Sequence, residues 1–268
     1  MPTDLDPSQV VLIIAGFDPS GGAGLIADLR ALAAFGCRPV AAVTSLTFQN
    51  SVGVWGATHQ NAESLRAQIQ PVVKEFRIAA VKIGMLPTPE LVLEVARLVR
   101  ETELPAPVID PVLRSSSGYE LMEPDAREVW LTELMPLARV ITPNIPEAET
   151  LTGLRINSEN EMRVAASRLR EMGARAVLVK GGHLEERSEV RGQKSEQPES
   201  QRQAVDVLDD DGTVTVFRGE WIEAPPVRGT GCMLSAAIAA GLARGVPLPE
   251  AVTAAKNFVA EIIHRAPR

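Results

Sequence analysis

Short apolar runs alternate along the chain with longer segments in which apolar residues recur every three or four positions. The run VVLIIAG at residues 10–16 is continuous, β-branched and closed by glycine, which predicts a buried strand. Leu25, Leu29 and Leu32 then lie at helical spacing. Further strands are predicted at 38–46, 78–86, 106–113, 138–144 and 174–182, with helices at 23–36, 61–76, 88–100, 124–136, 146–153 and 159–172. The alternation predicts an α/β fold with a mostly parallel central sheet flanked by helices on both faces.

The pattern changes after residue 182. Residues 185–203 contain a single aliphatic side chain, Val190, so we expect a flexible surface insertion that cannot bury itself. Residues 204–222 alternate around an Asp-Gly dipeptide and predict a small β-hairpin. Two helices are predicted to follow, at 232–244 and 249–264. Because no repeat and no linker divides the chain, we expect one domain over residues 1–268.

Composition and charge exclude several classes of protein. Hydrophobic residues make up 45% of the 268 positions, enough for a sizeable core, and the formal net charge is −7. Basic residues form no cluster, which argues against nucleic acid or a membrane surface as a partner. The polar N-terminal residues do not resemble a signal peptide, and Cys37 and Cys232 alone support neither a disulfide framework nor a zinc site. We therefore expect a cytoplasmic protein that binds a small molecule.

The first glycine-rich stretch, AGFDPSGGAG at residues 15–24, lies between a predicted strand and a predicted helix. Residues 22–27 formally match a dinucleotide-binding fingerprint, but the glycines begin several residues after the strand. Residues 41–59 also lack the acidic side chain that would bind a ribose. A nicotinamide-dependent oxidoreductase is therefore disfavoured, and the absence of a GK[ST] sequence excludes a Walker-type phosphate loop.

Two further glycine-rich stretches occur later in the chain. In RGTGC, residues 228–232, the glycines allow several backbone N–H groups to face one point at a helix start, which predicts an anion site. A thiol there, that of Cys232, should lose its proton more easily than a free thiol, although a small packed residue would also fit this position. KGGH, residues 180–183, follows a buried strand, where open parallel sheets bind ligands.

These stretches, in this order, resemble the ribokinase-like small-molecule kinases, and among them the hydroxymethylpyrimidine and phosphomethylpyrimidine kinases of thiamine synthesis. The resemblance covers residues 11 to about 240. It is carried by AGFDPSGGAGLIADL, TFQNSVGV, VKIGML, VIDPVLRSSSG, ITPNIPEAETLTG, VLVKGGH and GTGCMLSAAIA. Most sugar kinases of this superfamily have aspartate where this chain and the pyrimidine branch have cysteine.

The resemblance implies an ATP- and Mg²⁺-dependent phosphotransferase. Cys232 would take the proton of the acceptor hydroxyl, and Gly229, Thr230 and Gly231 would offer backbone N–H groups to the γ-phosphate. Arg228 stands where many relatives have histidine and could still pair with phosphate.

The same resemblance assigns residues to the nucleotide and the metal. Asp110 and Glu147 would hold Mg²⁺, because oxygen ligands with retained water suit this ion. Asn144, Glu147, Lys180 and Lys256 would bind ATP. Asn144 and Glu147 would equally suit an ordinary helix cap, Asp110 a turn before proline, and the lysines a solvated surface.

Five residues would bind the pyrimidine. The amide of Gln49 offers a donor and an acceptor to a ring nitrogen and its neighbouring amine, and Asp28 would accept from that amine. Gly16, Met85 and Val112 would form the apolar walls of the slot, although Met85 and Val112 would also suit a core.

The predicted reaction is phosphorylation of 4-amino-5-hydroxymethyl-2-methylpyrimidine and then of its monophosphate, in a homodimer by resemblance. Two alternatives remain open. Pyridoxine or pyridoxal kinase activity overlaps in related enzymes, and a non-catalytic pyrimidine or nucleotide sensor would fit a chain that stops soon after its final helix.

Overall fold

A nine-stranded sheet forms the centre of the protein in the computed structural model, which describes residues 6–182, 203–222, 224 and 227–266. The strands lie in the order β3-β2-β1-β4-β5-β6-β7-β8-β9. Their bounds are β1 Asp6–Phe17, β2 Cys37–Gln49, β3 Val54–His59, β4 Ile78–Ile83, β5 Val108–Ile109, β6 Val140–Ile141, β7 Ala176–Lys180, β8 Gln203–Asp210 and β9 Thr213–Glu220. Six neighbouring strands are parallel, namely β2, β1, β4, β5, β6 and β7, and β3, β8 and β9 add antiparallel edges.

Helices cover both faces of this sheet, as the alternation predicts. Their bounds are α1 Gly24–Ala34, α2 Ala62–Glu75, α3 Pro89–Glu101, α4 Pro124–Val129, α5 Ile145–Thr152, α6 Glu159–Glu171, α7 Thr230–Ala243 and α8 Leu248–His264. After α4 the chain continues as a π-helical turn, Trp130–Leu134, and a 3₁₀ turn, Met135–Leu137, where one helix is predicted. Helices α2 to α6 lie on one face, and α1, α7 and α8 on the other.

Alternate side chains of β1 enter two separate cores. Leu12 and Ile14 pack with the apolar faces of α2 to α6, and Val11 and Ile13 pack with α1, α7 and α8. Both faces of the strand are therefore buried, which explains why its sequence is continuously apolar. No helix in the described part of the chain is long and apolar enough to cross a membrane.

The sheet edges differ from the sequence-based expectation. Strand β3 is not predicted, and it pairs antiparallel with β2 at one edge. The predicted hairpin is present as β8 and β9, but β8 pairs with β7, so the hairpin extends the main sheet. Residues 185–202 of the predicted insertion lie outside the described residues, and its last residue, Gln203, begins β8.

The carboxyl edge of the sheet is the region where ligand sites are expected. The chain leaves β1 to one side for β2 and β3 and then returns to the other side of β1 for β4, so the strand order reverses at β1. Open α/β sheets bind ligands outside the carboxyl ends of their strands at such a reversal. The predicted residues Gln49, Met85, Asp110, Asn144 and Lys180 all lie at or just after strand ends.

Candidate active site

The glycine turn before α7 presents backbone donors. Gly229 is the N-cap of α7 with φ +74°, and no side chain caps the start of this helix. The first-turn N–H groups, those of Thr230, Gly231 and Cys232, have no partner within the helix and add to its positive dipole end. A Cβ on Gly229 would lie 2.3 Å from the carbonyl oxygen of Gly22, so only glycine allows the two glycine-rich turns to contact each other.

Asp110 and Lys180 form an ion pair beside this turn. The Nζ of Lys180 lies 2.7 Å from Oδ1 of Asp110, which also accepts a 3.0 Å hydrogen bond from the Thr142 hydroxyl. A Cβ on Gly231 would lie 3.1 Å from Nζ of Lys180. Burial alone would raise the pKa of Asp110, but Lys180 and then Lys82 lower it below its usual value. The structure therefore brings two residues predicted from separate motifs together as a charged pair at the start of α7.

Asn144 and Glu147 form a capping box at the start of α5. The Glu147 carboxylate accepts the Asn144 N–H at 2.7 Å, and the Asn144 side chain accepts the Glu147 N–H at 2.9 Å. The alternative role as a helix cap is therefore realised. Glu147 also interacts with Asp110 and Lys180: burial and then Asp110 raise its pKa to about 7, and Lys180 opposes the shift. Glu147 is thus both part of a cap and part of the charged cluster.

The two carboxylates fit a magnesium site. Asp110 uses Oδ1 for Lys180 and Thr142, and burial together with the neighbouring Asp110 raises the pKa of Glu147 to about 7, so a cation beside the two carboxylates would be favoured. Among residues 6–182, 203–222, 224 and 227–266 no group of three or more acidic, histidine or cysteine side chains could hold a metal alone. Two carboxylates, waters and substrate phosphates are a normal ligand set for Mg²⁺.

The charge state predicted for the Cys232 thiol is wrong. Burial, followed by Asp28 and Asp110, raises the pKa of Cys232 to about 11, while Lys82 and the backbone N–H of Gly24 act in the opposite direction. The helix start supplies the expected donors, but burial and the carboxylates of Asp28 and Asp110 outweigh them. With its pKa raised in this way, Cys232 carries its proton at neutral pH.

Lys82 is missing from the sequence-based site, and it forms a buried ion pair with the predicted residue Asp28. Lys82 at the end of β4 and Asp28 in α1 are both fully buried, and Nζ of Lys82 lies 2.7 Å from Oδ2 of Asp28. Burial is the first influence on the pKa of Asp28 and raises it to about 6 against the effect of Lys82. Oδ1 of Asp28 is buried without a hydrogen-bond partner. A lysine between Val81 and Ile83, inside an apolar strand, is the signal that could have identified it.

The pyrimidine residues are distributed around the end of β1. Met85 is buried, and a Cβ on Gly16 would lie 2.9 Å from its sulfur, so the two residues are in close contact. Val112 is partly buried after β5. The Gln49 amide oxygen accepts a 2.8 Å hydrogen bond from Arg228, which leaves the amide N–H₂ group to face a ligand.

Arg228 connects three segments of the site. It donates to the Asn50 carbonyl as well as to Gln49, and its guanidinium lies 3.7 Å from Oδ2 of Asp18. Asp18 is fully buried and accepts the backbone N–H groups of Ser20 at 2.8 Å and Ala23 at 2.9 Å. Asp18 is not among the residues predicted from the sequence, although it orders the first glycine-rich stretch.

Lys256 lies apart from the ion pairs described above. It forms an ion pair with Asp206, whose other oxygen accepts the Gly181 N–H at 2.8 Å. Lys256 is thereby fixed next to the backbone that follows Lys180, at the end of β7.

The cavity of about 450 Å³ at the carboxyl edge does not coincide with the charged cluster. It is lined by His59, Leu113, Tyr119 and Arg127 among others, and of the predicted site residues it contains Met85 alone. Neither Cys232 nor Asp110 lines this cavity.

The chain is similar to several known proteins. The family model for phosphomethylpyrimidine kinase matches residues 18–268. A hydroxymethylpyrimidine/phosphomethylpyrimidine kinase of Rhizobium meliloti is 42% identical over 262 residues, 97% of this chain and 92% of that protein. The crystal structure of a phosphomethylpyrimidine kinase from Clostridium difficile 630 superposes with a TM-score of 0.78 at 36% identity and covers 95% of this chain and 99% of its own. An ADP complex of Bacillus subtilis pyridoxal kinase gives 0.82 at 33% identity and covers 97% and 93%.

Proposed function

Because this chain belongs to the phosphomethylpyrimidine kinase family, we propose that it transfers the γ-phosphoryl group of ATP to 4-amino-5-hydroxymethyl-2-methylpyrimidine and then to the resulting monophosphate. One observation carries the proposal. The Cys232 thiol, the unpaired N–H groups at the start of α7 and the Asp110–Lys180 pair meet at the carboxyl edge of the sheet. These are the groups that an in-line transfer to a hydroxyl needs.

The acceptor oxygen is activated next to Cys232. As its thiolate, Cys232 accepts the hydroxymethyl proton while the oxygen forms its bond to the γ-phosphorus and the bond to the bridging oxygen of ADP breaks. The N–H groups of Thr230 and Gly231 stabilise the charge that spreads over the transferred oxygens. Lys180 lies 3.1 Å from a Cβ position on Gly231 and adds a positive charge at the same point.

The nucleotide side of the site uses the charged residues of β5 to β7. Asp110 and Glu147 would hold Mg²⁺, which when bound neutralises charge on the phosphate oxygens. Lys256 would stabilise the nucleotide from the end of β7 next to Gly181, and Asn144 would hold the Glu147 carboxyl in place.

The substrate is recognised between β1, β2 and β4. Asp28 would accept a hydrogen bond from the 4-amino group through its unpartnered oxygen, which otherwise stays buried at a cost of about 1–3 kcal/mol. Gln49 would donate to a ring nitrogen, because Arg228 occupies its oxygen. Gly16, Met85 and Val112 would line the flat faces of the ring.

A coupled ADP-release assay with the hydroxymethylpyrimidine, its monophosphate and pyridoxal tests the proposal. We expect turnover of both pyrimidines and a higher kcat/KM for the hydroxymethylpyrimidine than for pyridoxal. A higher kcat/KM for pyridoxal would overturn the substrate assignment. Binding of the pyrimidine by calorimetry without ADP release would identify a sensor and overturn the enzymatic proposal.

The homodimer and the cytoplasmic location belong to the same proposal. Phe48, Val52 and Trp55 are exposed apolar side chains on β2, β3 and the loop between them, a surface that a second copy would cover. Light scattering after size exclusion should give twice the mass of one chain. A monomer at micromolar concentration would remove the dimer and leave the catalytic proposal intact.

A further inference from the structure

The Lys82–Asp28 pair is the most deeply buried charged feature next to the site, and the mechanism above gives no role to Lys82. Both side chains are fully buried. Removing such a pair from water commonly costs more free energy than the attraction between its charges provides, unless every donor and acceptor has a hydrogen-bond partner. Oδ1 of Asp28 has no partner, so stability alone does not explain the pair.

Helix α7 packs against α1, β4 and β5, and Nζ of Lys180 lies beside its first turn, so charged side chains from four elements lie near the start of this helix. Lys82 comes from β4, Asp28 from α1, Asp110 from the end of β5 and Lys180 from β7, and each of them interacts electrostatically with Cys232. The helix start of α7 and a backbone N–H at the start of α1 add partial positive charge.

The two members of the buried pair act on the thiol in opposite directions. Lys82 favours the thiolate, and Asp28 favours the protonated thiol. Burial alone would lower the pKa of Lys82, but Asp28, Cys232 and Asp110 raise it, so Lys82 keeps its positive charge across the physiological range. The field of the pair at the sulfur is therefore the difference between two opposed contributions, and a change at either partner shifts it.

We propose that the Lys82–Asp28 pair controls when Cys232 gives up its proton. Lys82 is a positioning residue that supplies the positive charge the thiolate needs. Asp28 opposes it until Oδ1 accepts a hydrogen bond from the amine of an aminopyrimidine substrate, which draws on the carboxylate charge. The thiol proton then passes to solvent, and the thiolate is ready for the proton of the acceptor hydroxyl. The identity of the amine rests on the proposed function, but the charge balance at the sulfur depends only on side chains of this protein.

Alkylation of Cys232 by iodoacetamide measures this balance without any need for kinase activity. The modified peptide is quantified by mass spectrometry, which separates Cys232 from Cys37. At about pH 8 we expect Lys82→Met to slow alkylation of Cys232 at least ~3-fold and Asp28→Asn to accelerate it at least ~3-fold. A shift of one pKa unit changes the thiolate fraction about tenfold, and the lower nucleophilicity of a less basic thiolate returns part of that change.

The opposite signs separate a role through charge from a structural role, because loosening of the site would change both variants in the same direction. The double variant Lys82→Met/Asp28→Asn restores a net charge of zero and should react within ~3-fold of wild type, which decides the matter if Lys82→Met alone does not fold. Glu94→Gln, which removes the charge of a buried partner of Arg66 on the other face of the sheet, is the matched control and should leave the rate unchanged. Changes of the same sign in both single variants, or no change in Asp28→Asn, would overturn the proposal.

An analogue in which hydrogen replaces the 4-amino group tests the control by substrate. For the wild-type enzyme we expect the acidic limb of the pH profile of kcat to lie at least about one pH unit higher with the analogue than with the amine. In Asp28→Asn the two compounds should share one limb. Identical limbs in the wild type would overturn this half of the proposal, and absence of turnover with either compound would instead remove the proposed function.

Discussion

Glu147→Gln should stabilise the protein, and the gain should increase with pH. The pKa of Glu147 in the folded protein is raised from 4.5 to about 7, first by burial and then by Asp110. The folded state therefore binds this proton more tightly than the unfolded chain. Its contribution to stability is fully present below about pH 4.5 and is lost as the pH rises through about 7. Glutamine does not titrate, so the variant avoids that loss.

The size of the effect follows from the shift. About 2.5 units at 1.36 kcal/mol each amount to roughly 3 kcal/mol, of which about 2 kcal/mol falls between about pH 5.5 and about pH 8.5. Replacing the carboxylate with an amide in the capping box also changes the free energy of unfolding by an amount that does not depend on pH. This amount cancels when the variant is compared with wild type at the two pH values.

Urea unfolding followed by circular dichroism at these two pH values, with EDTA present, measures the free energy of unfolding. The difference between Glu147→Gln and wild type should be about 2 kcal/mol larger at the higher pH. Glu128→Gln, the same change at an exposed position on α4, should give the same difference at both pH values. A Glu147→Gln difference that is constant or smaller at high pH would refute the electrostatic account of the Asp110–Glu147–Lys180 cluster.

Three further substitutions test other parts of the site. Gly229→Ala places a Cβ 2.3 Å from the carbonyl oxygen of Gly22 at φ +74°, so we expect a loss of about 1–3 kcal/mol in urea unfolding and a fall in kcat; unchanged values would show that this contact is not needed. Arg228→Ala frees the amide oxygen of Gln49, and KM for the pyrimidine should rise at least ~10-fold while KM for ATP changes less than ~3-fold; the reverse pattern would assign Arg228 to the nucleotide. Lys256→Met removes the cation that holds a carboxylate against the end of β7, and KM for ATP should rise at least ~10-fold in steady-state assays, with KM for the pyrimidine as the internal control.

Much of the fold could be predicted because its signals are local. The parallel strands are buried on both faces, so their sequences are continuously apolar and stand out between amphipathic helices. Strand β3, Val54–His59, could not be identified this way, because its side chains are partly or fully exposed at the sheet edge. Its existence depends on pairing with β2, which composition does not reveal.

The site could be predicted in part. The positions of Asp110, Lys180 and Cys232 followed from motifs at strand ends and a helix start. The protonation of Cys232 could not follow from its own motif, because it depends on Lys82, Asp28 and Asp110, which other segments bring to the sulfur. Asn144 and Glu147 show the converse limit: one hydrogen-bonding pattern serves both the cap of α5 and the cluster, and sequence spacing alone does not distinguish the two uses.

In the proposed mechanism Cys232, as its thiolate, takes the acceptor proton beside the amides at the start of α7. The most direct measurement is kcat for the hydroxymethylpyrimidine in Cys232→Ala, with Cys37→Ala as the control, since Cys37 is a buried cysteine at the start of β2. We expect kcat to fall at least ~100-fold in Cys232→Ala and to stay within ~3-fold of wild type in Cys37→Ala. A Cys232→Ala enzyme whose kcat lies within a few-fold of wild type would contradict the account.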